Sequence, residues 1–321
     1  MKNDVTVVIP TRNRPQLVVR AVASALAQTH RLSEVIAVID GPDNQTVSAL
    51  NLLDDSRLRM VVLPESRGSN NARNQGAAQA QSEWVAFLDD DDEWLPHKIE
   101  SQLAHASSAD IVSCRFIAQS RRGAMIWPRR LPDVRERIGD YLFNRRSVFN
   151  GEAAIITSTL LVRKSVFDRQ PFSTTLRRHQ DTDWVIRSTA RGARLVYSSE
   201  PLVRFNDDIG RVRISTSYDW RQSLDWIHSI REFLGPRAFA GFVLASAGSA
   251  AADKQEWSAF LPLLREAIRK GSPTGTHLAL YLGMWLFPQR VRQQIRAILT
   301  RGRRNIVIPV ACQESNAQSR L

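Results

Sequence analysis

An apolar run that ends in four consecutive aspartates constrains this 321-residue chain more than any other feature. The run at 84–88 (WVAFL) has the composition of a buried strand, and Asp89 to Asp92 follow it directly. Adjacent carboxylates repel one another, so they need a cation or abundant water around them. Hard divalent cations such as Mg2+ and Mn2+ prefer oxygen ligands. A solvated acidic turn is the alternative, but a buried strand before the acids and a helix start at Pro96 favour a metal site.

The first 110 residues alternate between strand and helix patterns. Apolar runs predict strands at 5–9, 34–39, 58–63 and 84–88. Helical spacing predicts helices at 16–28, 69–81 and 96–106, with Ser69 as an N-cap. Alternating elements with continuous apolar strands predict an α/β fold, with a mostly parallel central sheet flanked by helices on both faces.

The rest of the chain has a mixed middle part followed by a helical part. Strands are predicted at 111–114 and 154–162, joined by a basic connector, and helices at 219–233, 237–252, 257–270, 276–286 and 288–300. Pro262 is expected in the first turn of its helix or at a kink. We therefore expect an α/β domain over 1–215 with halves 1–110 and 111–215, a helical C-terminal extension over 216–300 and a flexible basic tail over 301–321.

Charge and cysteine content narrow the functional classes. The net charge of +12 suits a polyanionic partner, although ordinary solubilising charge explains it equally well. Two distant cysteines, Cys114 and Cys312, give neither a disulfide framework nor a zinc-finger spacing. The N-terminus lacks a signal pattern, and the apolar stretch at 238–252 is shorter than the roughly 20 residues of a spanning helix. A cytoplasmic protein is expected.

Three polar strand ends are predicted to meet at one edge of the sheet. Thr11 follows the first strand, Asp40 closes the second, and the aspartates close the fourth. Such a crevice suits a nucleotide, read by Asp40 and the Thr11 region, together with a metal-bound diphosphate. Because alternate residues of an extended segment face the same way, Asp89 and Asp91 can point together. The chain has no G-x-G-x-x-G after the first strand, no P-loop motif and no EF-hand spacing.

Two further segments carry polar residues. Arg67 to Gly76 (RGSNNARNQG) leads into a helix from which Arg73 could reach phosphate or the acids, although an exposed helix face is the alternative. A second acidic segment, at 180–187, places Asp181 and Asp183 at the start of a helix. Acids in a first helical turn are also explained by the helix dipole alone.

Taken together, these segments resemble the family 2 glycosyltransferases, which have the A-type glycosyltransferase (GT-A) fold. The matching segments are VVIPTRN (7–13), SALAQT (24–29), Asp40-Gly41, RGSNNARNQG (67–76), WVAFLDDDDEWLPHK (84–98) and QDTDWVIR (180–187). They occur in the family's order and spacing, cover about residues 4–190, and are specific as a set.

The resemblance implies an inverting transfer from a nucleotide-diphosphate sugar, with a UDP-sugar favoured, to a saccharide or lipid-linked acceptor. It implies Asp181 as the catalytic base, with Gln180 where the family usually has an acid, and a Mn2+ or Mg2+ ion held by Asp89 and Asp91. The donor-binding residues implied are Pro10, Thr11, Asn13, Asp40, Arg73, Asp89 and Asp90. Secondary candidates are Asp92, Asp183 and Arg67. The nucleotide-sugar half is 1–110 and the acceptor half 111–215.

The segment 280–304 interleaves apolar residues with arginines. It suits a basic amphipathic helix on the anionic inner face of a membrane, and equally a helix packed on the main domain with a solvated arginine face.

Two alternatives to sugar transfer use the same fold. A metal-dependent nucleotidyltransferase usually has a glycine-rich loop after the first strand, and residues 10–15 (PTRNRP) contain no glycine. A non-catalytic basic protein that binds membrane or nucleic acid would not need the acids that this chain retains. No nucleic-acid partner is expected.

Overall fold

The computed structural model describes residues 3–120, 123–149, 151–206, 219–287 and 291. Within these residues nine strands form one sheet, in the order β3-β2-β1-β4-β8-β6-β9-β5, with β7 paired to β6. The strands are β1 (Val5–Thr11), β2 (Glu34–Ile39), β3 (Leu58–Val62), β4 (Trp84–Phe87), β5 (Glu93–Trp94), β6 (Ile111–Ser120), β7 (Gly123–Trp127), β8 (Leu161–Arg163) and β9 (Leu195–Asn206). The α/β fold predicted from the sequence is confirmed.

Helices cover the sheet and build the C-terminal part of the described chain. Those of the main domain are α1 (Pro15–Leu26), α2 (Asn44–Asn51), α3 (Ser69–Gln79), α4 (Lys98–Leu103), α5 (Ile138–Phe143), α6 (Lys164–Arg169) and α7 (Gln180–Ala190). Those of the C-terminal extension are α8 (Trp220–Ser229), α9 (Pro236–Phe242), α10 (Gly248–Asp253), α11 (Phe260–Lys270) and α12 (Gly275–Leu286).

The first half of the sheet is parallel. β1 pairs with β2 and β4, and β2 pairs with β3, all in the parallel direction. All seven residues of β1 are buried, because helices cover both faces of this half. Gly76 of α3 lies so close to Val8 that a Cβ there would overlap the valine side chain. The parallel pairing brings the carboxyl ends of β1, β2 and β4 to one edge, as predicted.

The second half of the sheet is mixed. β8 runs antiparallel to β4 and β6, and β9 runs parallel to β6 and antiparallel to β5. The strand predicted at 154–162 is wrong in its bounds, because Thr157–Thr159 form a 3-10 turn and β8 begins only at Leu161. The Ser158 and Thr159 hydroxyls of that turn are buried and donate to Asp92 and to the Ile156 carbonyl, and such side-chain bonds compete with regular strand pairing.

The C-terminal extension packs against α5 and α7. Phe143 contacts both Trp226 and Phe242, with ring centroids 6.0 and 4.9 Å apart. The predicted helix at 237–252 is present as α9, a π-helical turn over Val243–Ala247, and α10. Pro262 lies in the first turn of α11, as expected.

One further sequence prediction is wrong, and two others lie largely outside the described residues. The N-cap of α3 is Gly68 (φ 91°) and not Ser69, because the chain enters the helix through a positive φ that glycine adopts at little cost. The predicted helix at 288–300, apart from residue 291, and the tail at 301–321 lie outside the described residues. In the part of the chain that the structure describes, helices are too short or too polar to cross a membrane.

Candidate active site

The end of β1 is tied to the acidic segment by two hydrogen bonds to Asp90. The Thr11 hydroxyl donates to Asp90 at 2.8 Å, and Arg14 donates to it at 2.9 Å and reaches Asp91 at 3.5 Å. Asp90 is only 6% exposed, and burial is the main cause that raises its pKa to about 6, opposed by the Arg14 charge. Asp90 therefore joins the ends of β1 and β4.

Asp40, at the end of β2, holds the loop that enters α3. Its carboxylate accepts from the Ser66 hydroxyl at 2.7 Å, the Arg67 N–H at 2.8 Å and the Gly68 N–H at 2.9 Å. The Arg67 side chain itself is exposed and pairs with Glu65. Both carboxylate oxygens of Asp40 thus accept hydrogen bonds, and they hold the loop at 66–68 against the end of β2.

The remaining residues predicted at the first strand also lie at this edge. Pro10 and Thr11 are buried at the end of β1. Asn13 follows with φ 52°, and its N–H donates to Asp43 at 2.9 Å. The strand end and its turn are therefore rigidly held beside the acidic segment.

Arg73 on α3 reaches the site. Its side chain is buried, and it donates to the Asp89 carboxylate and to the Asn70 side chain. Asn70 and Asn74 do not face the crevice, because they bond the backbone of the segment leading to α7, at Ser173 and Phe172. The motif at 67–76 thus links the first acidic segment to the second.

Ser158 and Asn206, which were not predicted as site residues from the sequence, bond the acidic segment. The Ser158 hydroxyl accepts from the Asp89 N–H at 3.1 Å and donates to the Asp92 carboxylate at 2.5 Å. Asn206, at the end of β9, donates its N–H to Asp92 at 3.3 Å and its side-chain amide to the Asp91 carbonyl at 2.9 Å. Asp92 is buried, and burial together with the Asp89 charge raises its pKa.

The two candidate metal ligands are the more exposed acids of the segment. The side chains of Asp89 and Asp91 are 32% and 35% exposed, whereas Asp90 and Asp92 are buried. No group of three or more metal-binding side chains occurs among the described residues. Mg2+ is usually held by one or two carboxylates plus substrate phosphates, so a pair of partly exposed carboxylates fits an ion bound together with a diphosphate.

The second acidic segment begins α7, as predicted, and Asp181 lies in its first turn. The Asp181 carboxylate accepts from the Thr182 N–H at 2.8 Å. Burial raises the pKa of Asp181, and the Asp89 charge raises it further, while Arg73 opposes the shift. The charge of Asp89 in the first acidic segment thus affects the protonation of Asp181.

Asp183, two residues later, is buried and bonded to other side chains of the fold. It is 4% exposed and accepts from Arg187 and from the Trp226 indole, both at 2.9 Å. His179 precedes α7 with φ 63°, stacks on Trp226 at 4.4 Å, and bonds the Ser223 hydroxyl at 2.8 Å. Asp183 and His179 therefore anchor the C-terminal extension to α7.

Comparison with known proteins identifies the family of this chain. The model of the glycosyl transferase family 2 matches residues 6–170, just over half of the chain. This protein therefore belongs to glycosyltransferase family 2, as the sequence resemblance indicated.

Individual relatives support the family and the fold. The succinoglycan biosynthesis protein ExoU of Rhizobium meliloti (strain 1021) is 30% identical over 203 residues, which is 60% of this chain and 58% of that protein. The Escherichia coli UDP-Glc:alpha-D-GlcNAc-diphosphoundecaprenol beta-1,3-glucosyltransferase WfaP is 32% identical over 99 residues, 31% of this chain and 39% of WfaP. The matches thus span less than two thirds of these relatives.

A solved structure extends the comparison along the chain. The mannosyltransferase PcManGT from Pyrobaculum calidifontis, determined with GDP-Man and Mn2+, superposes with a TM-score of 0.56 at 17% identity. The superposition covers 92% of this chain and 86% of PcManGT. At this identity the likeness establishes a shared fold.

Proposed function

We propose that this protein transfers a sugar from a nucleotide-diphosphate sugar to a hydroxyl group of a saccharide or lipid-linked saccharide, with inversion at the anomeric carbon. The observation that carries the proposal is the approach of two different acidic groups from distant parts of the chain. Asp89 and Asp91 are partly exposed at the sheet edge. Asp181 lies in the first turn of α7, and the segment leading to α7 is bonded to Asn70 and Asn74 of α3, beside the Arg73 that pairs with Asp89.

The donor occupies the crevice at the carboxyl ends of β1, β2 and β4 in this proposal. Asp40 and the Pro10–Asn13 turn line the nucleotide side, where they are held in place by the bonds described above. Arg73, paired with Asp89, supplies a positive charge beside the phosphates. Asp90 supports this edge through Thr11. A UDP-sugar is the favoured donor, since WfaP uses UDP-Glc by its name, whereas PcManGT was solved with GDP-Man.

Asp89 and Asp91 would hold a divalent ion, Mn2+ or Mg2+, together with the donor diphosphate. The Mn2+ in the PcManGT structure supports a divalent ion as the cofactor. A bound divalent ion stabilises the charge that develops on a diphosphate leaving group without a proton donor. The chain's own contribution is to keep these two carboxylates turned toward the crevice, because Ser158 and Asn206 fix the backbone between them.

Asp181 acts as the general base. An acceptor hydroxyl is a weak nucleophile until its proton is removed, and a positioned base typically contributes about 10²–10⁴-fold to the rate. The raised pKa of Asp181 makes its carboxylate a stronger base than an ordinary aspartate. Inversion needs the base and the leaving group on opposite sides of the anomeric carbon, and acids from two distant segments suit that requirement.

The acceptor belongs to cell-surface polysaccharide or glycolipid synthesis in this proposal. ExoU is named for succinoglycan biosynthesis, and WfaP for a sugar carried on diphosphoundecaprenol. A lipid-linked acceptor would bring the protein to the inner face of an anionic membrane. The surface proposed from the sequence, 280–304, lies mostly outside the described residues, but Leu286 and Phe287 at the end of α12 are exposed. Sedimentation with anionic vesicles at low and high salt tests this association.

A donor hydrolysis screen tests the central proposal. Purified protein is incubated with Mn2+ or Mg2+ and a panel of UDP-, GDP- and dTDP-sugars, and released nucleotide is measured. Metal-dependent release from one donor, abolished in Asp91→Ala, is the expected result. If no donor is hydrolysed and calorimetry detects no nucleotide binding with metal, the proposal is wrong. Release of inorganic diphosphate from a nucleoside triphosphate and a sugar phosphate would instead identify a nucleotidyltransferase.

A further inference from the structure

A cavity of about 250 Å3 lies between the second half of the main domain and the C-terminal extension. Its walls come from the end of α5, the segment around Glu152, the first turn of α7 and the π-helical turn Val243–Ala247. None of the donor-site residues described above lines it. The cavity is therefore distinct from the crevice at the ends of β1, β2 and β4.

The cavity adjoins the proposed base. Thr182 lines the cavity, and its N–H donates to the Asp181 carboxylate at 2.8 Å. The segment leading to α7 is bonded to Asn70 and Asn74 of α3, the helix whose Arg73 pairs with Asp89. A molecule in the cavity would thus contact Thr182, the residue that follows the proposed base and bonds its carboxylate.

The lining has the chemistry that sugar rings require. Glu152 is 8% exposed and accepts from the Arg146 and Ser147 N–H groups at 3.0 and 2.9 Å. A carboxylate offers about four acceptor positions, so capacity remains for a sugar hydroxyl. Phe143 and Phe242 add apolar surface. Because small-molecule pockets usually measure about 300–1,000 Å3, this cavity suits one sugar ring and not an oligosaccharide.

The π-helical turn forms the wall contributed by the extension. Ala245 and Ser246 lie on this turn and line the cavity. Glycines flank the turn, and a Cβ on Gly241 would overlap the Phe143 carbonyl while one on Gly248 would overlap the Tyr281 ring. The π-helical turn is therefore packed closely against α5 at one end and against α12 at the other. Single π-helical turns within α-helices occur frequently at functional sites.

We infer that this cavity is the acceptor subsite, that it binds one pyranose ring of the acceptor saccharide, and that Ala245 and Ser246 set the size of ring it admits. The inference rests on the proposed function and deepens it. It assigns acceptor selection to the C-terminal extension, which lies beyond the residues matched by the family.

The test fills the cavity and measures sugar binding separately from donor chemistry. Saturation-transfer NMR is recorded with methyl glycosides of glucose, galactose, mannose and N-acetylglucosamine, in the presence of UDP and Mn2+. Ala245→Phe is expected to weaken binding of the preferred glycoside by about tenfold or more, equivalent to about 1.4 kcal/mol, while donor hydrolysis stays at the wild-type rate. Ala279→Phe, at an exposed position of α12, is the matched control and should bind normally.

Ser246→Leu provides a second variant should Ala245→Phe fail to fold, and thermal melting of each variant checks folding. Unchanged glycoside binding in the folded cavity variants would overturn the inference, as would the absence of glycoside binding to a wild-type protein that hydrolyses a donor. Failure of the proposed function gives a different pattern, in which donor hydrolysis is missing from the wild-type protein itself.

Discussion

The two acidic segments of this protein divide their carboxylates in the same way. In the first, Asp90 and Asp92 are buried and bonded, whereas Asp89 and Asp91 remain partly exposed. In the second, Asp183 is buried against the extension, two residues after Asp181. Each run of acids thus contains a buried carboxylate that bonds neighbouring groups and another to which we assign a reactive role, and local geometry distinguishes the two.

The structural reason why neighbouring acids differ in burial is not the same in the two segments. The first segment is not extended but forms a turn after β4, closed by the Asp92 N–H donating to the Asp89 carbonyl at 3.1 Å. From this turn Asp92 and Asp90 bond Ser158 and Thr11, whereas the other two acids stay partly exposed. At a helix start, residues two apart lie on different faces, so Asp183 turns to Trp226 while Asp181 turns away from it. The comparison predicts that neighbouring acids will respond oppositely to the same substitution.

Asp181→Asn should have the largest effect on activity. Without a base, transfer is expected to fall by about 10²–10⁴-fold, with donor affinity retained. The folded-state pKa of Asp181 is raised, so its ionised form destabilises the fold at neutral pH, and that cost disappears as pH falls below the ordinary aspartate pKa. The variant should therefore melt at a higher temperature than wild type at pH 7, with a smaller difference near pH 4.

Transfer rates, donor calorimetry and melting curves check this prediction together. Near-wild-type turnover in Asp181→Asn would remove this residue from the role of base. A lower melting temperature at pH 7 would show that its carboxylate supports the fold as Asp183 does, and the contrast between the two acids would be lost.

Asp91→Asn should have the next largest effect, and on donor binding. A hydrogen bond or contact that involves a charged group contributes about 1.5–3 kcal/mol, so metal-dependent donor affinity should fall by about 10–150-fold. Affinity for the donor measured with chelator present should change little. Equal losses with and without metal would indicate that Asp91 acts on the donor directly and not through an ion.

Asp183→Asn should lower stability and spare chemistry. The amide loses the charge that pairs with Arg187 in a buried position, which is expected to cost about 1–3 kcal/mol of the free energy of unfolding. Denaturant unfolding measures the loss, and transfer per folded molecule should stay near wild type. A full loss of transfer in a folded Asp183→Asn protein would mean that Asp183, and not Asp181, is the base.

Much of the sheet edge proposed to bind the donor was predictable because it depends on local patterns. Thr11, Asp40 and Asp89 each end an apolar run, and parallel strands bring such ends together. Asp181 came from the family resemblance and not from its helix position, since the dipole explanation fits Asp181 and Asp183 alike. The contact with Trp226 that distinguishes Asp183 joins residues 43 positions apart.

The second half of the sheet and the π-helical turn could not be predicted from local sequence patterns. β9 contains Ser198-Ser199-Glu200-Pro201 in its middle, which breaks the apolar pattern of a strand. The structure accommodates this segment by register shifts between β6 and β9 near Arg115. The π-helical turn likewise reflects packing against α5 and α12, which no local pattern records.

Asp92→Asn should have the smallest effect, although this acid is adjacent to Asp91. Burial already disfavours the ionised form of Asp92. An asparagine can keep its oxygen toward the Asn206 N–H and place its NH2 group toward Ser158, whose hydroxyl oxygen can then accept where the hydroxyl now donates. Donor affinity and transfer should therefore stay within about threefold of wild type, a change below about 1 kcal/mol. Steady-state kinetics beside Asp91→Asn provide the measurement. A loss as large as that of Asp91→Asn would show that the ion or the donor engages Asp92, and the division between support and reactive acids would then fail at this segment.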